Sequence, residues 1–200
     1  MRHLLLAAAL AIGLTACSTP GDEPSATATP QSPAAVPSGT SASSGFVVTS
    51  RDFADGEELA DWATASAYGG QCTGDNLNPA LDWSNVPAGT TSFAITLIDR
   101  SANNYIHWVH FDIPGDSAGV PRGGSTDLAG AEGATSEATP GYFGPCPPGP
   151  DHRYEFTVYA LDAPIGLEEG ARFADVKKAI DEHALGQATI TGMRTGPAGG

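Results

Sequence analysis

The chain has 200 residues and a formal net charge of −14, with 23 acidic side chains against 9 basic ones. That balance leaves no basic stripe for a nucleic-acid backbone and no electrostatic attraction to a polyanionic membrane surface, so both are excluded as partners. Most of the acidic side chains serve solubility.

Residues 1–16 read as an export address and take no part in the fold. Met1, Arg2 and His3 form a basic start, Leu4 to Leu14 an apolar run, and Leu14-Thr15-Ala16-Cys17 matches a bacterial lipobox. The run is shorter than the ~20 residues of a spanning helix. The alternative is an ordinary secretory signal with an incidental cysteine. On the lipobox reading Cys17 becomes the acylated first residue, and palmitate-like chains hold the protein on the extracytoplasmic side of the cell membrane, each buried CH2 contributing roughly 0.8 kcal/mol. Residues 17–45 are Ser, Thr, Pro, Ala and Gly with almost nothing to bury, which predicts a disordered tether. A single domain is expected over 46–193, followed by a disordered tail at 194–200.

Within the domain, Phe46-Val47-Val48 opens a strand, and Pro87-Ala88-Gly89 turns into a second at Ser92–Ile98. Ile106–Ile113 and Arg153–Leu161 are apolar, β-branched and aromatic, and read as two more. Phe173, Val176 and Ile180 recur at helical spacing from about Ala171, with Gly186 as the expected stop and Ala188–Gly192 as a last short strand. Nothing alternates as βαβ and nothing repeats. The fold class is therefore mostly β: antiparallel sheets packed on each other as a sandwich, with one C-terminal helix.

With Cys17 set aside, Cys72 and Cys146 remain. An even pair in an exported protein favours a disulfide. Metal ligation lacks a C-x-x-C pairing, and a catalytic thiol would need both cysteines reduced beside a base. The bridge would pin the loop that holds Cys146, which belongs to the most informative stretch of the chain, Tyr142–Tyr159 (Y-F-G-P-C-P-P-G-P-D-H-R-Y-E-F-T-V-Y). Here a stiff Gly/Pro loop runs into an alternating strand. His152 and Tyr154 sit two apart and share a face; His107 and His110 sit three apart and take opposite faces. Asp99 ends the strand before His107. Asp99, His107, His152 and Tyr154 can meet at one end of a sheet, where a carboxylate beside two imidazoles and a glycine-rich loop makes an anion cradle. For each histidine alone, a structural hydrogen bond is the alternative.

Several motifs over 46–193 resemble the phosphatidylethanolamine-binding proteins, in their bacterial Raf-kinase-inhibitor-like branch. Asp75-Asn76-Leu77-Asn78-Pro79-Ala80-Leu81-Asp82-Trp83 is similar to the family's D-x-x-x-P-x-L-x-W segment, and Val86-Pro87-Ala88-Gly89-Thr90 to its V-P-x-G-T turn. Ile106-His107-Trp108-Val109, Gly144-Pro145-Cys146-Pro147-Pro148, His152-Arg153-Tyr154 and the helix around Asp181-Glu182-His183 complete the match. The resemblance implies a pocket at one end of a β-sandwich lined by Asp99, His107, Gly144, Pro145, His152 and Tyr154, which takes phosphate, phosphoethanolamine or a related anion without metal or cofactor. On this reading His107 and His152 contact the anion, the Gly144 region supplies backbone N–H, Tyr154 gives a hydroxyl, and Asp99 orients a histidine.

The sequence departs from the family at Asp99-Arg100-Ser101-Ala102-Asn103, where the family has D-P-D-x-P. That predicts a softer loop, with Arg100 either turned inward toward an anion or solvated. The leading expectation is a lipid-anchored, non-enzymatic binder of a small anionic ligand or lipid head group. An inhibitor of a partner protease or kinase using the same pocket rim comes second. A hydrolase comes last, because no G-x-S-x-G element and no nucleophile paired with a base is found.

Overall fold

The computed structural model describes residues 45–196; the export segment, Cys17, the tether up to Ser44 and residues 197–200 lie outside that range. Ten strands are present: β1 (Val47–Thr49), β2 (Ser66–Ala67), β3 (Cys72–Thr73), β4 (Leu81–Ser84), β5 (Ser92–Asp99), β6 (Tyr105–Pro114), β7 (Gly119–Val120), β8 (Ala131–Glu132), β9 (His152–Leu161) and β10 (Ala184–Arg194). One α-helix, α1 (Phe173–His183), precedes the last of them. No helix among the described residues is long and apolar enough to cross a membrane.

A five-stranded antiparallel sheet in the order β10-β9-β5-β6-β8 faces a three-stranded sheet in the order β1-β4-β7, and β2 pairs with β3 alone. The sandwich expected from the sequence is thus present. Its centre is β5, a near-continuous apolar run with every residue buried, as suits a strand flanked on both edges and covered on both faces. Phe93, Ile95 and Leu97 join Trp83, Trp108, Phe156 and Val158 in the core between the sheets. Ala94 turns to the other face and packs with Val109, Phe111 and Leu161 under Val176 and Ile180 of α1.

Two boundaries differ from the sequence reading. Gly186 does not stop the helix: Ala184 closes it, donating its N–H to the Ile180 carbonyl, and the chain enters β10 directly. Gly186 instead lies at a register shift against β9. The last strand also runs beyond Ala188–Gly192 in both directions, because β9 supplies a partner along its whole length. On its other edge, Gly56 donates to the Thr191 carbonyl and Leu59 to that of Met193. Arg194, assigned to a disordered tail, belongs to β10 and bonds the Leu59 carbonyl (2.8 Å) and Asp61 (2.6 Å). Thr195 and Gly196 follow it, tied to Asp151 and to the Gly149 carbonyl.

Cys72 and Cys146 form the expected disulfide, with Cα atoms 5.8 Å apart across 74 residues of sequence. Closing a loop of that length contributes roughly 4 kcal/mol on a chain-entropy account.

The buried Thr96 hydroxyl in β5 has no hydrogen-bond partner among the described residues. An orphaned polar group out of water costs about 1–3 kcal/mol, so Thr96→Val should raise the unfolding free energy by about 1 kcal/mol in urea denaturation. A loss of stability would mean that the hydroxyl has a partner after all.

Candidate functional site

Three strands of the large sheet end together. Asp99, the last residue of β5, lies in register with Tyr105 at the start of β6 on one side and Tyr154 near the start of β9 on the other. His107 and His152 complete a polar floor beneath a cavity of about 110 Å3, walled by Tyr68, Tyr105, Phe143 and the segment Cys146–Pro148. Asp99, His107, His152 and Tyr154, spread over 56 positions of sequence, therefore converge on one cavity. His110 faces elsewhere, toward the Ala129 carbonyl and Glu132.

Asp99 organises the floor. It is only 2% exposed. Its Oδ2 meets Nδ1 of His152 at 2.6 Å, and its Oδ1 accepts the backbone N–H groups of Ser101 (2.8 Å) and Ala102 (3.2 Å). A carboxylate only accepts, so the proton of the first bond belongs to His152 Nδ1, and the ring is fixed in tautomer and direction. The other two bonds close an Asx-type turn. The loop without prolines is therefore held by Asp99 itself, and the hydroxyl of Ser101 accepts the Arg153 N–H at 3.0 Å. Arg100 is not turned inward: its guanidinium bonds Glu155 (2.6 Å) and Asn104 (2.8 Å), outside the cavity.

His107 is held from the opposite wall. Its Nδ1 donates to the Phe143 carbonyl at 2.7 Å, while its ring stacks on Phe143 and meets Tyr154 edge-on, with centroids 5.7 and 5.2 Å away. Burial holds its pKa below the usual imidazole value, opposed by the Phe143 carbonyl and by the charges of Asp99 and Glu137. Nε2 has no protein partner among the described residues, yet it is not a sealed orphan, so it reaches the cavity. Burial, reinforced by Asp99, raises the Tyr154 phenol far above its ordinary value and keeps it a proton donor.

Gly144 and Pro145 do not line the cavity. The Gly144 N–H, expected to face an anion, donates to Asn76 Oδ1 at 2.8 Å. A Cβ at this position would lie 2.2 Å from the Ala63 carbonyl oxygen, so glycine serves close backbone approach here. The Pro145 carbonyl accepts the Ala65 N–H. Both residues thus build the wall from behind.

Sequence reasoning missed Tyr68, Tyr105, Phe143 and Glu137. The Tyr68 and Tyr105 hydroxyls both donate to the Glu137 carboxylate at the mouth, and burial raises both phenols. Tyr105 was findable, being two residues before His107 on a strand. Tyr68 was not, since the disulfide and the two-residue strand pair that help bring it here carry no hydrophobic pattern of their own. The site therefore carries two carboxylates and no lysine or arginine in its lining. Among the described residues, no group of three or more His, Cys, Asp or Glu is arranged to hold a metal.

The molecule is thus an antiparallel β-sandwich whose strand ends present two histidines, one held by a buried carboxylate and one by a backbone carbonyl, to a small cavity. Residues 49–195 match the family model described as phosphatidylethanolamine-binding protein, and the chain belongs to that family. It is 40% identical over 154 residues to the UPF0098 protein YbhB of Escherichia coli, covering 72% of this chain and 96% of that one. A Mycobacterium tuberculosis protein, LppC, whose name proposes it as a lipoprotein, is 38% identical over 130 residues, which cover 62% of this chain and 63% of LppC. The crystal structure of E. coli YbcL, titled a new member of the mammalian PEBP family, superimposes with a TM-score of 0.69 at 30% identity, covering 75% of this chain and 98% of that one.

Asn76 is the hinge-pin of the pocket loop: its Oδ1 takes the Gly144 N–H and its Nδ2 gives to the Tyr142 carbonyl at 2.9 Å, from a left-handed backbone (φ 56°). Asn76→Ala removes both bonds and leaves Ala in a conformation it disfavours. Thermal or urea unfolding should show a loss of about 2 kcal/mol or more; a change below about 0.5 kcal/mol, within the range of ordinary surface substitutions, would show that the loop is held by other means.

Proposed function

We propose that the protein is an extracytoplasmic, lipid-anchored binder of a small phosphorylated or otherwise anionic ligand, and that it acts by binding rather than by catalysis. The observation that carries this reading is the fixed pair of histidines: each Nδ1 is committed to a protein acceptor, leaving both Nε2 atoms for a ligand in the 110 Å3 cavity. The cavity is small and open at its mouth, which suits a compact anionic group such as phosphate seated on the polar floor. The lipobox and the lipoprotein name of LppC support the anchor. The half-exposed Tyr68 at the rim supports a second reading, in which a partner enzyme inserts an acidic or phosphorylated side chain. For catalysis a nucleophile is wanting: no serine or threonine lines the cavity, and Cys146 is bonded to Cys72.

The tautomers set the chemistry. With Nδ1 protonated, the Nε2 of neutral His107 is a lone pair, and an anion cannot bond to a lone pair. A proton must come with the ligand, as a P–OH, or be taken up on the imidazole. A bound anion raises the pKa of His107 from its lowered free value, so binding consumes a proton in the window between the two. Affinity therefore rises as pH falls through that window and weakens as pH rises, by up to about tenfold per unit.

An NMR titration with inorganic phosphate and phosphoethanolamine, following the imidazole signals, checks this. Saturable shifts at His107 and His152, weaker at about pH 8 than at about pH 6 and absent in His152→Ala, are expected. Flat signals at millimolar ligand would sink the anion reading. Ester turnover that disappears in His152→Ala would establish a hydrolase instead.

A further inference from the structure

The Cys72–Cys146 disulfide lies outside both hydrophobic clusters and outside the five-stranded sheet. What it joins are two walls of the ligand cavity. One is the turn Tyr68–Gly70 between β2 and β3, which carries Tyr68; the other is the loop holding Cys146, Pro147 and Pro148.

The first wall has little else to hold it. β2 and β3 contribute two residues each and pair at two positions. A strand pair that short does not sustain itself in water. Tyr68, Gly69 and Gly70 all have positive φ (54°, 68° and 92°), and for Tyr68 that backbone is disfavoured. Beyond the disulfide, the base of the hairpin is tied by two long backbone bonds, Ala65 N–H to the Pro145 carbonyl and Gly74 N–H to the Ala65 carbonyl (3.3 Å each). The turn itself is tied by the Tyr68 hydroxyl to Glu137 (3.2 Å) and by an edge contact with Phe143 at 6.3 Å between centroids. Behind the bond lies a second cavity of about 330 Å3, lined by Gln71, Cys72, Thr73, Pro147 and Arg194 among others. Cys146 and Pro147 face the ligand cavity, while Cys72 and Pro147 face its neighbour. The disulfide and one proline are the partition between the two, and each cysteine borders open space.

We propose that this disulfide is a redox lock on the ligand pocket: oxidised, it holds the Tyr68 wall closed over a space the size of a small anion; reduced, it frees that wall, opens the partition and releases the anion. The proposal rests on the anion reading above and adds the regulation of that site. Opening is thiol–disulfide exchange with a dithiol. Its thiolate attacks one cysteine sulfur, forming a mixed disulfide and expelling the other cysteine as thiolate; its second thiol then closes on the first, freeing the remaining cysteine. Two electrons and two protons pass to the protein, and the dithiol ends as its own disulfide. The strand hydrogen bonds that position Asp99, His152 and Tyr154 belong to β5, β6 and β9 and do not run through either cysteine. His107 also exchanges bonds with Phe143 on the Cys146 loop, but Asn76 holds that loop on both sides of Phe143, at the Tyr142 carbonyl and the Gly144 N–H, without the disulfide. The floor therefore persists while the wall is lost.

The test compares the purified protein before and after treatment with dithiothreitol, with Cys72→Ser/Cys146→Ser as a constitutively open form and Tyr68→Ala as a wall-less form that keeps the bond. Inorganic phosphate is the probe, read on the His107 and His152 imidazole signals. Amide hydrogen exchange is followed at Ala65 and Gly74, beside the hairpin, and along β5 and β9. Reduction and the double serine variant should each weaken phosphate binding at least about tenfold, Tyr68→Ala should do the same without reductant, and reoxidation should restore the wild-type Kd. Protection at Ala65 and Gly74 should fall while that of β5 and β9 stays. Equal phosphate affinity in both redox states overturns the lock, as does loss of protection throughout the sheet, which would make the bond a global stabiliser. If the oxidised protein binds no phosphate, the anion reading fails, and hydrogen exchange decides the lock independently: a hairpin that stays protected on reduction refutes it, and one that loosens alone upholds it.

Discussion

A carboxylate kept almost wholly from water at the end of the central strand is the constraint on which the site depends. Asp99 is satisfied by three donors, one imidazole and two backbone N–H groups. Removing one partner of such a buried pair generally costs about 3–5 kcal/mol, because the charge left behind has no water to turn to. One group thereby fixes the direction of the His152 ring and the turn at Ser101 and Ala102, and it adds to the burial that keeps the Tyr154 phenol protonated. Asn103 and Asn104 follow in left-handed backbone, a conformation that asparagine tolerates better than most residues. A turn made rigid by prolines in the family pattern is here made rigid by an acid.

How much of this was legible in the sequence follows from how local each cause is. The long strands announced themselves because β5 is a near-continuous apolar run and β6 and β9 are rich in β-branched and aromatic residues, so the polar residues at their ends, Asp99, His107, His152 and Tyr154, stood out. Gly144 misled because one residue type serves two purposes. A glycine offers either an exposed N–H or the absence of a Cβ, and only the Ala63 carbonyl lying where that Cβ would be decides between them. Gly186 misled in the same way, as a helix stop that is a strand irregularity. The reading of Arg100 was left open in sequence because its choice is made by Glu155, a residue 55 positions away that β9 delivers to its side. Tyr68 was beyond reach, since its place depends on a turn with no hydrophobic pattern of its own.

The electrostatics of the pocket run against simple attraction of an anion. The protein is strongly acidic, the site holds Asp99 and Glu137, and its arginine neighbour is neutralised outside. Selectivity must then come from hydrogen-bond geometry and protonation rather than from charge. Fixed tautomers and raised tyrosine pKa values provide a set of directional donors and acceptors in a small space. A ligand able to bring a proton of its own, such as a phosphomonoester near its second pKa of about 6, suits that set better than a fully ionised anion.

Size and pre-organisation together bound what the pocket can achieve. Its four polar side chains are oriented before any ligand arrives, so little ordering entropy is lost on binding. Even so, the best tiny ligands gain about 1.5 kcal/mol per non-hydrogen atom, which for a bare phosphate gives at most roughly 7 kcal/mol, a Kd near ~10 μM. Tighter capture needs contacts beyond the cavity, and the mouth supplies them: Tyr68, Tyr105 and Phe143 present ring surface, and Glu137 a carboxylate between two phenols. On the anion reading proposed above, whatever the phosphate is attached to would leave through this aromatic, acidic collar. A substituent with an apolar or cationic group next to the phosphate gains there, by ring contact and by charge, while a second anion loses. On the anion reading proposed above, the inner floor would hold the anion common to many ligands, and the collar would distinguish among them.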